Sequence, residues 1–224
     1  MNARSETPPR WRAAILDLDG TLVDTQGDFV VALNHTLADL GLRGIDAGFV
    51  ERTVGKGSEH LIRSTLAEVG ADDGHYGAAW ERYQHHYRRI NGEHSRLYDG
   101  VAEGLDRLVS AGLALACVTN KPGAFALELL ERKGLRGRFA AVYGGDAFAR
   151  RKPDPMPLVE TCRALGVAPR ETLMVGDSSN DVQAARAAGC PVVLVSYGYN
   201  HGEPAESAGA DAVIDRLDEL AVFA

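Results

Sequence analysis

Short apolar runs recur at residues 13–18, 113–119, 140–143, 172–176 and 191–196, with a weaker one at 212–214. They have strand length, show no polar alternation and are bounded by Gly, Pro or Asp, the pattern of strands buried on both faces. Between them, apolar residues repeat at helical spacing over 101–111, 123–133, 155–165, 180–188 and 216–223. The boundaries carry matching punctuation. Asp154 precedes Pro155 as an N-cap and first helical residue, Gly134 and Gly166 stand just past helices, and Asp215 is placed to cap the last one. Strands alternating with helices predict an α/β fold, a doubly wound, Rossmann-like parallel sheet.

The stretch 26–96 breaks this alternation. Phe29, Val30, Leu33, Leu37 and Leu40 form one helical stripe; Leu61, Ile62 and Leu66 form another after a candidate cap at Ser58; Trp80, Tyr83, Tyr87 and Ile90 form a third. No strand separates them. A helical block between the first and second core strands reads as an insertion, and it leaves the chain beside the C-terminal edge of the sheet, where open α/β sheets bind ligands. The expected organisation is a loose tail over 1–12, an α/β core formed by 13–25 and 97–224, and an α-helical cap over 26–96.

Composition changes this picture little. At 224 residues, 45% hydrophobic and 25% charged, the chain has the profile of a soluble globular protein. Its formal net charge of −7, without a basic block, points away from nucleic acid and anionic membranes. No apolar run reaches membrane-spanning length and no secretory leader is visible, so a cytoplasmic location is expected. Cys117, Cys162 and Cys190 have no metal-type spacing, and their odd number argues for reduced thiols rather than a disulfide framework.

The chemistry gathers at the strand ends. The first strand runs into Asp17-Leu18-Asp19-Gly20-Thr21, two carboxylates with no folding benefit to offset their repulsion and desolvation. The second ends in Thr119-Asn120-Lys121, the third leads to Arg150-Arg151-Lys152-Pro153, and the fourth ends in Gly176-Asp177-Ser178-Ser179-Asn180-Asp181. In a parallel sheet these ends share one crevice. Carboxylates, a hydroxyl and amide pair and an ammonium suit a hard divalent cation together with a phosphoryl group.

With these four motifs in this order, the chain resembles the haloacid dehalogenase superfamily, and within it the small cap-bearing phosphatases. The resemblance implies that Asp17 attacks phosphorus to form an aspartyl-phosphate and that Asp19 serves as general acid and then base. It implies Mg2+ held by Asp17, the backbone carbonyl of Asp19 and Asp177, with Asp181 behind the ion. Thr119 and the amide of Asn120 would take phosphoryl oxygens while Lys152 screens the approach of two anions. An Asp at position 19 matches the phosphatases rather than the dehalogenases or phosphonate hydrolases of the superfamily.

The stretches 151–158 and 196–204 resemble the loops of bacterial phosphoglycolate phosphatases, which implies 2-phosphoglycolate as the small-molecule partner; the sequence leaves monomer and homodimer open. Lys56, in Val54-Gly55-Lys56-Gly57-Ser58, is the cap cation expected to meet the substrate's carboxylate. Tyr197 and Tyr199 suit either packing or contact with the site. Three other accounts stand beside this one. They are a phosphatase for a sugar phosphate such as N-acetylmuramic acid 6-phosphate, a sugar phosphomutase, and a catalytically silent binding protein.

Overall fold

The structure, a computed structural model, describes residues 11–222. Its strands are β1 (Ala13–Leu16), β2 (Val23–Asp24), β3 (Arg96–Leu97), β4 (Ala114–Val118), β5 (Ala141–Tyr143), β6 (Thr172–Gly176), β7 (Val192–Val195) and β8 (Ala212–Ile214). Six of them form one parallel sheet in the order β5-β4-β1-β6-β7-β8. The order reverses between β1 and β6, so a crevice opens there at the C-terminal edge. β1 lies at the centre, Ile15 paired with Ala116 on one side and Met174 on the other.

Burial on both faces explains the unbroken apolar runs. Ala14 and Leu16 pack with Leu115, Cys117, Leu173 and Val175 on one face, while Ile15 packs with Ala116, Val118 and Met174 on the other. Each such Leu or Ile, fully buried, is worth about 1.5–3 kcal/mol. The core helices are α5 (Val101–Ser110), α6 (Gly123–Arg132), α7 (Met156–Leu165) and α8 (Ser179–Ala188), preceded by α1 (Gln26–Asp39), α2 (Ala47–Thr53), α3 (Ser58–Glu68) and α4 (Tyr76–Ile90). Cys117, Cys162 and Cys190 are buried free thiols.

The helices α1–α4 share a hydrophobic cluster built on Phe29, Leu33, Leu61, Ile62, Tyr83 and Tyr87, which also takes in Phe125 and Tyr199 from the sheet side. The chain enters and leaves this block through a two-stranded antiparallel ribbon, Val23 opposite Leu97 and Asp24 opposite Arg96. Asp28, fully buried, ties the far end by accepting the backbone N–H groups of Gly92 (2.8 Å) and His94 (2.7 Å).

Five local expectations need correction. Pro155, not Asp154, holds the N-cap of α7, while the Asp154 carboxylate accepts the Met156 N–H at 2.9 Å. Of the expected tail, residues 1–10 lie outside the described residues, but Trp11 is buried in the core and the Arg12 N–H donates to the carbonyl of Glu171. The last segment is a 3-10 helix over Leu217–Val222, in which Leu217 and Leu220 stack at i and i+3 and bury together; Phe223 lies outside the described residues. Asp215 lies two residues before its first residue rather than next to it, and its carboxylate accepts the Ser196 hydroxyl at 2.6 Å. Ser58 is the first residue of α3, and Gly57 holds the N-cap position without a side-chain bond.

Candidate active site

The turn after β1 is built to project acids. The Asp17 N–H still donates to the carbonyl of Val175, continuing the sheet, and the next turn closes on Leu18, whose carbonyl accepts the Leu22 and Val23 N–H groups. Gly20 stands at φ 82°, where an added Cβ would lie 2.5 Å from an Asp177 carboxylate oxygen, so only glycine fits. The ends of β1 and β6 are thus pressed together across the crevice.

Carboxylate oxygens of Asp17, Asp177 and Asp181, all buried, lie within 4.8 Å of one another. Asp17 accepts the Leu18 N–H at 2.7 Å and faces the Lys152 ammonium at 3.0 Å. Burial pushes its carboxyl up to about 6, against the pull of Lys152. Asp177 accepts the Thr21 hydroxyl at 3.0 Å and the Tyr199 N–H at 2.8 Å, yet burial and then the charges of Asp181 and Asp17 push it up to about 8. Both oxygens of Asp181 are bonded inside the protein. One oxygen takes Lys152 at 2.7 Å; the other accepts the Ser178 N–H and hydroxyl at 3.1 and 3.0 Å.

Lys152 is buried and anchored three ways, by Asp17, Asp181 and the Val118 carbonyl at 2.8 Å. Burial works against its charge, but the two carboxylates more than offset that, and its pKa is raised. Asp17 and Asp181 therefore share one ammonium, and Asp177 is not paired with it. Burial and the neighbouring acids keep Asp17 and Asp177 raised, and an all-oxygen donor set suits a hard divalent ion.

On the other side of Asp19 lies a partly open cavity, lined among others by Thr119, Asn120, Lys121, Phe29, Tyr87 and Phe125. Asp19 does not turn toward the other carboxylates. It pairs with Lys121, whose Nζ is 3.0 Å from one oxygen and 3.4 Å from the other. Lys121 is itself buried, bonded to the Tyr87 hydroxyl and set against the rings of Phe29 and Tyr87. The stripe Tyr83–Tyr87, read from sequence as a packing feature, is both the floor of the helical block and a wall of this cavity.

Two expectations shift here. Lys56 is exposed and does not line the cavity; Gly55, Gly57 and Ser58 of its loop do. The loop is held backbone-inward because the Gly55 carbonyl accepts the side-chain amides of Asn120 (2.8 Å) and Asn180 (3.2 Å). Asn120 also donates to the Lys152 carbonyl at 2.8 Å, so its side-chain amide is already engaged within the protein.

Lys121 stands in the quoted run Thr119-Asn120-Lys121, but its partner Tyr87 lies in the distant helix α4, and nothing local marks the pair. Tyr199 is the other residue that sequence left open. Its N–H holds Asp177 and its hydroxyl accepts the Thr25 N–H at 2.8 Å, tying the metal motif to the start of α1. Tyr197 donates its hydroxyl to the Thr21 carbonyl at 2.9 Å.

Comparison with known proteins gives a consistent result. The family model described as haloacid dehalogenase-like hydrolase matches residues 14–195. A phosphoglycolate phosphatase of Thiobacillus denitrificans is 42% identical over 215 residues, 95% of each chain. A plasmid-borne phosphoglycolate phosphatase of Cupriavidus necator is 44% identical, covering 93% of this chain and 90% of that one. Among solved structures, a Haemophilus somnus protein described as a predicted phosphoglycolate phosphatase superposes with a TM-score of 0.91 at 30% identity, over 94% of this chain and 96% of that one.

Proposed function

The chain belongs to the haloacid dehalogenase-like hydrolases, as a phosphoric monoester hydrolase, and from that premise we propose that it hydrolyses 2-phosphoglycolate to glycolate and phosphate with Mg2+. The observation that carries the reading is the meeting of Asp17, Lys152, Asp177 and Asp181 at the strand-order reversal, with Asp19 turned from them to line the neighbouring cavity.

Asp17, Asp177 and the backbone carbonyl of Asp19 would hold the ion, with Asp181, anchored to Lys152 and Ser178, behind it. When bound, Mg2+ supplies positive charge for the nucleophile and the phosphoryl oxygens. The protein's own groups do the rest. Lys152, fixed 3.0 Å from Asp17, screens the anionic nucleophile from the anionic ester. The Thr119 hydroxyl and the Asn120 backbone N–H take phosphoryl oxygens; the Asn120 side chain serves the Gly55 loop instead.

An Asp17 oxygen then forms a bond to phosphorus as the bond to the leaving oxygen breaks. Asp19 gives that oxygen a proton, and glycolate departs. In the second displacement Asp19 takes a proton from water, whose oxygen attacks phosphorus and restores the Asp17 carboxylate with release of phosphate. Closure of the helical block over this cavity excludes other water during the first step.

One observation favours a small ester over a hexosamine phosphate: the relatives named above, phosphoglycolate phosphatases, match this chain along nearly their whole length. The test is phosphate release from a panel of small esters with and without Mg2+. 2-Phosphoglycolate is expected to give the highest kcat/KM, and Asp17→Asn to lower kcat by at least ~10³-fold, because an amide is a poor nucleophile. Preference for N-acetylmuramic acid 6-phosphate, isomerised sugar phosphate without free phosphate, or wild-type turnover in Asp17→Asn would each overturn it.

A further inference from the structure

We propose that Lys121 is the specificity-determining cation of this site, its ammonium reading the carboxylate of the leaving group from the wall of the cavity beside Asp19. The inference rests on the phosphoglycolate reading above and adds to it the residue that makes the choice.

The cavity beside Asp19 is apolar over most of its wall, with Phe29, Val54, Leu61 and Phe125 among its lining, and Lys121 brings the one ammonium to that lining. The expected reader, Lys56, is exposed and lies outside it. An ester whose far end is anionic therefore meets a matching charge in this cavity at Lys121 alone. A neutral leaving group meets the apolar wall and makes no use of that charge.

Reach supports the match. Asp19, as the acid, must come within about 2.6–3.2 Å of the leaving oxygen. In a carboxymethyl group the carboxylate oxygens sit roughly 3 Å from that same oxygen, by ordinary bond lengths. Lys121 Nζ is 3.0 Å from the nearer Asp19 oxygen, so one ammonium can touch both the acid and the substrate carboxylate. A longer leaving group would carry its charge past this point.

Donor capacity allows it too. An ammonium offers three N–H groups. Tyr87 takes one and the nearer Asp19 oxygen takes another; the third is spent on the second Asp19 oxygen at the poorer distance of 3.4 Å, and can turn to a ligand. Phe29 and Tyr87, at 4.8 and 4.7 Å from Nζ to ring centroid, hold the ammonium in place without competing for its hydrogens. Burial makes the contact count for more, since an ion pair shielded from water is screened far less than one at the surface.

The experiment compares 2-phosphoglycolate with ethyl phosphate, which has the same kind of alkoxide leaving group and no carboxylate. Wild-type protein is expected to favour 2-phosphoglycolate. Lys121→Met should cut the ratio of the two kcat/KM values at least tenfold, through a raised KM for 2-phosphoglycolate, while ethyl phosphate loses less. An equal loss on both esters would mean that Lys121 serves only to position Asp19, and would overturn the proposal.

Lys121→Gln, which keeps hydrogen bonds to Asp19 and Tyr87 but drops the charge, gives the same comparison if the Met variant does not fold. Failure of both to fold, by circular dichroism, would also overturn it, because the charge would then belong to the fold. Failure of the underlying reading looks different: wild-type protein itself would show no preference for 2-phosphoglycolate.

Discussion

Both oxygens of Asp181 and all three donors of Lys152 are consumed within one buried network. Asp181 closes a capping box at the start of α8 with Ser178 and simultaneously anchors the lysine that faces Asp17. One side chain thus starts a helix and fixes a charge in the site. Removing it strips a buried ammonium of half its countercharge. Asp181→Ala is therefore expected to lower unfolding free energy by about 3 kcal/mol or more, measured by urea denaturation. Asp181→Asn, which can still accept from the α8 N-terminus, should cost less. Equal stability of Asp181→Ala and wild type would show that Asp17 alone satisfies Lys152.

The Gly55 loop between α2 and α3 is pinned to the core by two amides, from Asn120 and Asn180. Asn180 stands on α8, so the latch joins the helical block to the element that follows the metal motif. One hydrogen bond of this kind is worth about 1 kcal/mol net, or roughly fivefold in an opening equilibrium. Asn180→Ala should make trypsin cleave after Lys56 roughly fivefold faster than in wild type, with global unfolding little changed. An unaltered cleavage rate would assign the hold to Asn120 alone.

The same loop shows what sequence could and could not reveal. The strand ends were legible because apolar runs and their polar stops are local signals, and β6 matches residue for residue over Thr172–Gly176. The loop's closeness to the site was legible from where the insertion leaves the chain. Which of its atoms point inward was not, because that depends on Asn120 and Asn180, set by distant elements. Lys121 paired with Tyr87 and Tyr199 holding Asp177 were hidden for the same reason: each contact exists only once two separate segments have packed. The 3-10 geometry over Leu217–Val222 escaped because two apolar residues at i and i+3 satisfy either helix type.

Across the whole molecule, the fold assembles three acids and one lysine at a point where burial makes each uncompensated charge expensive. Without an ion, Asp17 and Asp177 are pushed up to about 6 and about 8, so the folded state holds protons that the unfolded chain releases near pH 4. The sign follows from linkage: between those limits the folded state binds more protons, so ion-free stability contributed by these groups falls as pH rises toward 8. A divalent cation competes with those protons for the same oxygens. Its stabilising effect should then be larger at pH 8 than at pH 6. At a hundredfold excess over its Kd, an ion bound only by the folded state adds about 2.7 kcal/mol, or roughly 5–10 °C in Tm for a chain of this size. Thermal melts with MgCl2 against NaCl of equal ionic strength are expected to show that rise, greater at the higher pH, and Asp177→Asn should remove it. A rise that is the same at both pH values, or that survives in Asp177→Asn, would move the ion away from this cluster and leave its acids as a purely protonic network.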